Sequence, residues 1–302
     1  MKILVTGGNG FLGYNIIDQL LNNGHEILVL SRNFNRFTTT VNKKLKFSRI
    51  ITDTYTSHTE AILEFSPDVA IHCAWAGGNS YNDVNHLNQY NHNIPASISL
   101  LEILSKLQNS SKFIGFGSFT EYGTLKTKAR EEQTEQPITH YGVAKNTLKN
   151  ISKLFCEQHN IAWSWIRPCY IYGEGDVETR LLPTVISKLK KGEHITLDSC
   201  DTTIDYLHVS DFSKAVQSIV SCEEDGIFNV CSGEEYNLKD IIKYIAKKLH
   251  NANQITFSNT EDRKYSSKYI CGDNNKLIIS SNWEPTISIY EGINNLLKYD
   301  TR

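Results

Sequence analysis

The sequence lacks the features that would point to a metal, a nucleic acid or a membrane. Its seven cysteines are scattered and never form a C-x-x-C pair, a distribution typical of reduced thiols and not of a zinc site. Thirty-one basic residues face thirty-three acidic ones, so no excess of positive charge suggests a nucleic-acid partner. The apolar stretch Ile3–Val5 runs into glycines and is too short for a signal peptide or a membrane span. We therefore expect a cytoplasmic protein with no metal site, no nucleic-acid partner and no membrane partner.

What the sequence does contain is an alternation of short apolar runs with helical patterns. The 302 residues, 40% apolar and 21% charged, suffice for a large core in one domain or in two interleaved ones. The predicted strands are Ile3–Val5, Glu26–Leu30, Val69–Ala74 and Lys112–Phe116, and the predicted helices begin near Leu12, cover Ser97–Leu107 and start at His140. Pro95 should begin or kink its helix near Asn93. This alternation predicts an α/β fold with a doubly wound parallel sheet.

A glycine-rich segment separates the first predicted strand from the first helix. Glycines at positions 7, 10 and 13 permit a tight turn, the close approach of a pyrophosphate and close packing of helix on strand. A tight turn without a ligand is the alternative reading of the same residues. The position between a buried strand and a helix favours a dinucleotide-binding loop. Its expected cofactor-binding residues are Gly7, Asn9, Gly10, Phe11, Leu12 and Gly13.

The second predicted strand ends in Ser31-Arg32, where dinucleotide-binding loops face the adenosine ribose. An acid at this point hydrogen-bonds the 2′-hydroxyl of NAD, whereas an arginine accommodates the 2′-phosphate of NADP. Here the acid is absent, Ser31 is able to donate to a phosphate, and Arg32 is able to pair with it. The alternative is that Arg32 is a solvated loop charge. The stretch predicts NADP as cofactor, with NAD as the alternative.

A second group of residues carries acid–base chemistry. Ser118 follows a predicted strand, at the edge where open α/β sheets bind ligands. Tyr141 and Lys145 are four positions apart and therefore lie on one face of the predicted helix. A phenol with a pKa near ~10 is a poor acid–base group at neutral pH, and a neighbouring ammonium stabilises its phenolate. A serine hydroxyl nearby would orient a carbonyl for proton transfer.

Together, T-G-G-x-G-x-x-G, S-x-x-x-Y-G and Y-x-x-x-K resemble the extended short-chain dehydrogenase/reductase family, which comprises sugar-nucleotide epimerases, dehydratases and reductases. Arg167-Pro168 with Tyr172-Gly173, Leu207–Asp211 and Trp283–Pro285 resemble later motifs of that family. The resemblance implies that Ser118, Tyr141 and Lys145 form the catalytic triad. It also implies cofactor contacts from Asp53, Ala74, Trp75, Ala76 and Asn93, besides Tyr141 and Lys145.

The resemblance further implies a Rossmann-type domain combined with a smaller, interleaved C-terminal substrate domain. We expect the dinucleotide-binding domain over residues 1–166, with a returning segment at about 204–232. Residues 167–203 and 233–302 would form the substrate-binding domain. The helix near Asn93 and the helix carrying Tyr141 would pair with their mates in a homodimer. Their apolar positions exceed the needs of one buried face: Ile98, Leu101, Leu104–Leu107, Leu148 and Phe155.

Two departures from the family pattern concern the substrate. The 4,6-dehydratases of this family have the pattern T-D-E-x-Y at the site that corresponds to Ser118. In this sequence Phe119 and Thr120 replace the Asp-Glu pair, which argues against dehydration. Ile204 stands where relatives often carry an arginine for the substrate diphosphate. Either Arg180 or Arg263 would replace it, or the substrate is held differently. The expected substrate-binding residues are Thr120, Arg167, Arg180 and Arg263.

These observations predict an NADP(H)-dependent reductase of a nucleotide-activated keto-sugar, with a 4-keto-6-deoxy hexose as the favoured substrate. Tyr141 would protonate the carbonyl oxygen, Lys145 would lower the pKa of that tyrosine, and Ser118 would polarise the carbonyl. An epimerase returns its hydride to the substrate and gains nothing from reduced NADP, so the Ser31-Arg32 stretch favours a reductase. The alternatives are an NAD-dependent C4 epimerase and a non-catalytic NADP-sensing or scaffold protein.

Overall fold

The computed structural model describes residues 1–37, 45–49, 55–77, 86–108, 111–258 and 267–298. Its strands are β1 (Lys2–Thr6), β2 (Glu26–Ser31), β3 (Leu45–Arg49), β4 (Val69–His72), β5 (Lys112–Phe116), β6 (Ala162–Pro168), β7 (Tyr170–Tyr172), β8 (Ile195–Leu197), β9 (Thr203–Ile204), β10 (Tyr206–His208), β11 (Gly226–Val230), β12 (Tyr236–Asn237), β13 (Ile255–Phe257) and β14 (Tyr269–Ile270). Its α-helices are α1 (Phe11–Asn22), α2 (Thr59–Phe65), α3 (Ile94–Leu104), α4 (His140–Gln158), α5 (Leu181–Lys190), α6 (Val209–Ser221), α7 (Leu238–Lys248), α8 (Asn275–Ser281) and α9 (Ile289–Lys298).

The centre of the molecule is a seven-stranded parallel sheet in the order β11-β6-β5-β4-β1-β2-β3. Strand order runs outward in one direction from β1 through β2 and β3, and in the other through β4, β5 and β6. The point of reversal therefore lies between β1 and β4, and ligands of open α/β sheets bind beyond the carboxyl ends of the strands at such a point. The Rossmann-type doubly wound fold predicted from the sequence is confirmed.

The residues of β1 show why both faces of the sheet are covered. Successive side chains of a strand point to opposite faces, and none of Ile3, Leu4 and Val5 is exposed. Ile3 and Val5 belong to the apolar cluster that includes α1 and α6, whereas Leu4 belongs to the cluster that includes α3 and α4. An uninterrupted apolar run thus forms a strand between two helical layers.

A third apolar cluster lies outside these two layers and is built from α5, α7 and α9 with short strands. There β7 pairs with β10, β8 pairs with β13, and β9 lies between β12 and β14. Between these parts the chain returns to the large sheet with α6, which packs on α1, and with β11. The short strands and the returning segment bring loops from the second half of the chain to the edge of the large sheet.

The prediction that Pro95 begins its helix near Asn93 is confirmed, because α3 starts at Ile94. Residues Gln89–Asn93 form a π-helical turn that continues directly into α3, with Pro95 in the first turn of that helix. Proline has no N–H to donate and its ring crowds the carbonyl one turn earlier, and a wider turn relieves both effects. The turn aims Gln89 and Asn93 at the carboxyl end of β4, and such turns are frequent at functional sites.

Asp211 ties the C-terminal segment to the first turn of α6. Its carboxylate is fully buried and accepts hydrogen bonds from the backbone N–H groups of Thr286 (2.7 Å) and Ile287 (2.8 Å) and from the Thr286 hydroxyl. Burial alone would raise the pKa of Asp211, but these hydrogen bonds outweigh it and hold the pKa below its usual value. The carboxylate therefore stabilises the fold in its ionised form.

Replacing Asp211 with asparagine should lower the free energy of unfolding by about 1.5–3 kcal/mol, because hydrogen bonds to a charged acceptor are lost in a buried place. Since the folded-state pKa lies below the unfolded value of about 3.9, the contribution is present above about pH 4 and disappears as the pH falls through the folded value. Urea unfolding at pH 7 and at pH 3 measures both effects. Asp240→Asn, at an exposed carboxylate on α7, is the control. Equal unfolding midpoints for the two variants at pH 7 would contradict this role.

Candidate active site

The glycine loop fits the backbone of a dinucleotide at the point of strand reversal. Gly7 has a φ of +71°, and a Cβ there would lie 2.7 Å from the Cα of Ala74. A Cβ on Gly13 would lie 2.5 Å from the Gly7 carbonyl oxygen. Within the described part of the chain, no side chain caps the N-terminus of α1, which begins after Gly10. The backbone N–H groups at this helix end are those that bind a pyrophosphate in such loops.

The side chains within the loop have structural partners. Asn9 accepts a hydrogen bond from the backbone N–H of Arg36 at 2.9 Å and donates one to Asn33, so it fixes the segment that follows β2. Phe11 and Leu12 pack into the apolar cluster beneath the sheet. Of the predicted cofactor contacts, Phe11 and Leu12 therefore offer their backbone to a ligand, and Asn9 orders the loop around it.

The Ser31-Arg32 stretch ends β2 as predicted. Ser31 is buried, with 7% of its surface exposed, whereas Arg32 is exposed. The charge of Arg32 acts on Tyr55: burial raises the pKa of that phenol to about 12, and Arg32 opposes the rise. Arg32 is thus the accessible cation after β2. Asp53, the predicted adenine contact, lies outside the described residues.

A buried chain of hydrogen bonds joins β1, β4 and α3 behind the site. The Thr6 hydroxyl lies 2.7 Å from His72 Nδ1, His72 Nε2 lies 2.8 Å from the Ser97 hydroxyl, and Ser97 donates to the carbonyl of Asn93. Burial, with the charge of Lys145, lowers the pKa of His72 to about 3, so the imidazole is neutral. These bonds fix the end of β4, from which the next loop starts.

That loop, Ala74-Trp75-Ala76, is held by side chains from the π-helical turn. The Asn93 amide accepts from the Ala76 N–H at 2.7 Å and donates to the Ala76 carbonyl at 2.9 Å. Gln89 accepts from the indole N–H of Trp75 at 2.6 Å. Asn93, predicted as a cofactor contact, acts in this structure on the backbone of the loop.

Ser118 follows β5 and caps a short helical turn, Phe119–Glu121. Its hydroxyl accepts from the Thr120 N–H at 3.2 Å, and its own N–H donates to the Glu121 carboxylate at 2.8 Å. Phe119 packs in a small core with Tyr122, so no acid–base group stands at that position. The Thr120 hydroxyl oxygen is buried without a hydrogen-bond partner among the described residues, and a bond to a substrate would require its side chain to turn.

Tyr141 lies in the first turn of α4, which begins where Thr139 caps the Gly142 N–H at 3.0 Å. Burial and the charge of Glu121 raise the pKa of Tyr141 to about 12, whereas the charge of Arg180 and the nearby Ser118 side chain lower it. At neutral pH the phenol therefore carries its proton.

Lys145 lies one turn further along α4 and is 4% exposed. Its ammonium donates to the Phe116 carbonyl at 2.7 Å and lies 5.7 Å from the centre of the Tyr141 ring. Burial lowers the pKa of Lys145 to about 7, against the opposing charge of Glu121. Ser118, Tyr141 and Lys145, which the family resemblance groups together, thus lie near one another at the carboxyl end of β5.

The expectation that Arg167 contacts a substrate is corrected. Its side chain is fully buried, and its guanidinium pairs with Glu121 at 2.9 Å and with Glu135 at 2.5 Å while stacking on Tyr122 at 4.4 Å. A guanidinium needs this many partners when it is removed from water. The Arg-Pro motif in this chain supplies an internal counter-ion to Glu121.

Arg180 does reach the cleft. It lies immediately before α5, with its guanidinium 5.9 Å from the Phe11 ring, paired with Asp176 at 3.4 Å and 52% exposed. Its charge also lowers the pKa of Tyr141. Of the two arginines considered for the diphosphate, Arg180 stands beside the glycine loop and the phenol, and Arg263 lies outside the described residues.

Arg36 was missed by the sequence reasoning. Its guanidinium donates to the Gly175 carbonyl at 2.8 Å, so it joins the segment after β2 to the segment before α5. Sequence spacing gives no signal for such a contact, because the two partners are far apart in the chain and neither belongs to a motif. The contact draws the loop that carries Arg180 over the glycine loop.

In the described ranges, no helix is long and apolar enough to cross a membrane. No group of three or more histidine, cysteine, aspartate or glutamate side chains there is arranged to hold a metal ion.

Comparison with known proteins gives sequence relatives and a fold neighbour. The dTDP-6-deoxy-L-talose 4-dehydrogenase (NAD(+)) of Aggregatibacter actinomycetemcomitans is 25% identical over 83% of this chain and 91% of its own. The CDP-abequose synthase of Salmonella muenchen is 24% identical over 98% of this chain and 97% of its own. The crystal structure of UDP-glucose 4-epimerase from Thermotoga maritima with UDP-glucose superposes with a TM-score of 0.89 at 22% identity, covering 99% of this chain and 98% of that one.

Residues 3–231 match the NAD dependent epimerase/dehydratase family, and this stretch contains the large sheet except for Lys2, together with every described candidate residue. The chain is a member of the NAD dependent epimerase/dehydratase family.

Proposed function

We propose that the protein is an NADP(H)-dependent reductase of a nucleotide-activated keto-sugar, with a 4-keto-6-deoxy hexose as substrate. The observation that carries this proposal is the placement of Tyr141 and Lys145 one turn apart on α4, with the Lys145 ammonium 5.7 Å from the centre of the Tyr141 ring and bonded to the Phe116 carbonyl at the end of β5. A reductase needs a proton donor at the carbonyl oxygen, and a phenol whose pKa is raised to about 12 holds that proton at neutral pH.

Each residue of the group has one task in this reaction. The nicotinamide cofactor, when bound, supplies a hydride to the carbonyl carbon. Tyr141 gives its proton to the carbonyl oxygen, and the Ser118 hydroxyl donates a hydrogen bond to the same oxygen. The positive charges of Lys145 and Arg180 stabilise the phenolate that remains. Because Phe119 is apolar and the Glu121 carboxylate is already bonded to Ser118 and Arg167, no second acid–base pair supports dehydration.

The cofactor would lie along the carboxyl edge of the sheet. The N–H groups at the start of α1 would bind its pyrophosphate, and the loop fixed by Asn93 would line the nicotinamide end. Arg32 would pair with the 2′-phosphate of NADP, since it is exposed at the end of β2, where an acid would favour NAD. Ser31, being mostly buried, would support the backbone at that corner.

The substrate side of the proposal rests on Arg180 and on the relatives. The names of the two relatives refer to sugars activated by dTDP and by CDP, so a nucleoside diphosphate is the chemical group that they share. Arg180 is the cation at the cleft that would pair with this diphosphate. When Arg180 pairs with the substrate diphosphate, its electrostatic effect on the Tyr141 phenol would also change.

We also propose a homodimer formed through α4, on different residues from those first considered. Leu101, Leu104 and Leu148 pack inside the subunit. Val143 and Leu154, three helical turns apart on α4, are 38% and 57% exposed instead. Exposed apolar side chains aligned on one helix face suit a helix of a second subunit.

Tyr141→Phe should lower turnover of a nucleotide keto-sugar by about 10²–10⁴, the range of a lost general acid. NADPH binding should stay nearly unchanged, because the ring remains in place. Initial rates of NADPH oxidation and fluorescence titration with NADPH measure the two effects. Tyr244→Phe, which removes a phenol hydroxyl on α7, is the control. Turnover within threefold of the parent would refute the role of Tyr141.

Arg32→Ala should reduce the affinity for NADPH by about one to two decades and leave that for NADH almost unchanged. A charge-assisted hydrogen bond contributes about 1.5–3 kcal/mol, and about 1.4 kcal/mol is a tenfold change. Calorimetric titration of each cofactor into both proteins measures this. Arg130→Ala, at an exposed ion pair with Asp273, is the control. Equal affinities of the parent for NADH and NADPH would support the NAD-dependent epimerase instead.

Leu154→Glu should shift the protein from dimer to monomer at micromolar concentration, because a charge would be buried in the proposed interface. Analytical ultracentrifugation measures the state. Ile279→Glu, which alters an 81% exposed apolar residue on α8, should leave the dimer intact. A parent protein that sediments as a monomer would exclude this interface.

A further inference from the structure

Trp75 stands closer to Lys145 than the tyrosine predicted to need that lysine. The Lys145 Nζ lies 3.7 Å from the centre of the indole and 5.7 Å from the centre of the Tyr141 ring. The indole in turn packs edge to face on the Tyr141 ring, with 6.2 Å between centroids. The three side chains thus form a compact group, with the ammonium on the indole face.

The indole is locked in this orientation from behind. Gln89, which is 2% exposed, accepts the hydrogen bond from the Trp75 N–H and also lies 3.4 Å from the Asn93 amide nitrogen. Asn93 holds both backbone polar groups of Ala76, the next residue of the loop. The π-helical turn therefore sets the plane of the ring on which Lys145 rests.

We propose that Trp75 is a positioning residue whose indole face holds the Lys145 ammonium in place and keeps it charged inside a buried site. A cation on the face of an aromatic ring is attracted by the ring quadrupole, and the attraction grows where water is excluded. Among the described residues, Lys145 donates one hydrogen bond, to the Phe116 carbonyl, and the indole face provides the shorter of its two aromatic contacts. The catalytic meaning of this contact rests on the proposed function.

The charge states of the groups around the Lys145 ammonium explain why its contact with the indole matters. Glu121 is the carboxylate that raises the pKa of Lys145, while burial keeps Cys73 a thiol with a pKa of about 12 and His72 a neutral ring. Tyr141 is protonated at the same pH. Burial lowers the pKa of Lys145 to about 7, so a modest additional loss of stabilisation would discharge it in the physiological range.

The contact is tested without any substrate. In protein labelled with ¹³C at lysine Cε, the Lys145 signal is identified by its absence from Lys145→Arg. In the parent, its Hε resonances should be shifted upfield by the ring current of the indole. Hε resonances at the positions of an exposed lysine would overturn the proposal, and this result requires no Trp75 variant to fold.

The charge effect is tested by pH titration of the same signal. Trp75→Leu should lower the measured pKa of Lys145 by about 0.5–1.5 pH units, and Trp75→Phe, which retains an aromatic face, should lower it by less than half of that. Gln89→Met keeps the ring and removes its anchor, so it should reduce the ring-current shift. Identical pKa values in the parent and in Trp75→Leu would overturn the proposal.

A kinetic measurement connects the contact to the reaction. If the proposed reductase activity is found, the alkaline limb of its pH–rate profile should move to lower pH in Trp75→Leu and return toward the parent in Trp75→Phe. A purely structural role would lower the rate at every pH and leave the limb where it was, and that result would overturn the positioning role. If no keto-sugar is reduced, the proposed function fails while the two resonance experiments still decide whether Trp75 holds Lys145.

Discussion

The buried carboxylate of Glu121 determines how the reacting groups are arranged and charged. It accepts hydrogen bonds from the Ser118 N–H and from Arg167, and thereby fixes the turn that presents the Ser118 hydroxyl. Its negative charge raises the pKa of both Tyr141 and Lys145, which favours a protonated phenol beside a charged ammonium. Arg167 offsets the free-energy cost of burying the Glu121 carboxylate, because an unpaired carboxylate without access to water would strongly destabilise the fold. A single ion pair beneath the site thus links the substrate-facing residues to the interior of the sheet.

Around this pair, the cleft is assembled from both halves of the chain. The glycine loop and the loop at Trp75 come from the large sheet, whereas Arg180 comes from the segment before α5. Arg36 connects the two parts through its bond to Gly175. In the proposed function, a substrate at Arg180 and a cofactor at the start of α1 would lie on the two parts of the chain that this bond connects.

Much of this arrangement could be predicted from the sequence because it depends on local rules. The apolar run at Ile3–Val5 predicts a strand buried on both faces, and four-residue spacing places Tyr141 and Lys145 on one helix face. The contacts that the sequence did not reveal depend on tertiary packing. Arg167 carries a family motif but is buried, since only the folded chain brings Glu121 and Glu135 to it. Pro95 correctly predicts where α3 begins, but the π-helical turn before it was not predicted, because that turn depends on the hydrogen bonds of Gln89 and Asn93 with the Trp75 loop.

The central claim is that the protein catalyses a net reduction, in which a hydride passes from NADPH to a sugar. In an epimerase, by contrast, the hydride is taken from the sugar and returned to it. The most direct measurement uses NADPH deuterated at the transferable position of C4, a nucleotide-activated 4-keto-6-deoxy hexose, and mass and NMR analysis of the sugar product. The account predicts one NADPH consumed per product molecule and deuterium bound to carbon 4 of the sugar. If NADPH is not consumed and no deuterium enters the keto-sugar, while a nucleotide-activated 4-hydroxy hexose supplied with NAD is converted into its C4 epimer, the account is contradicted.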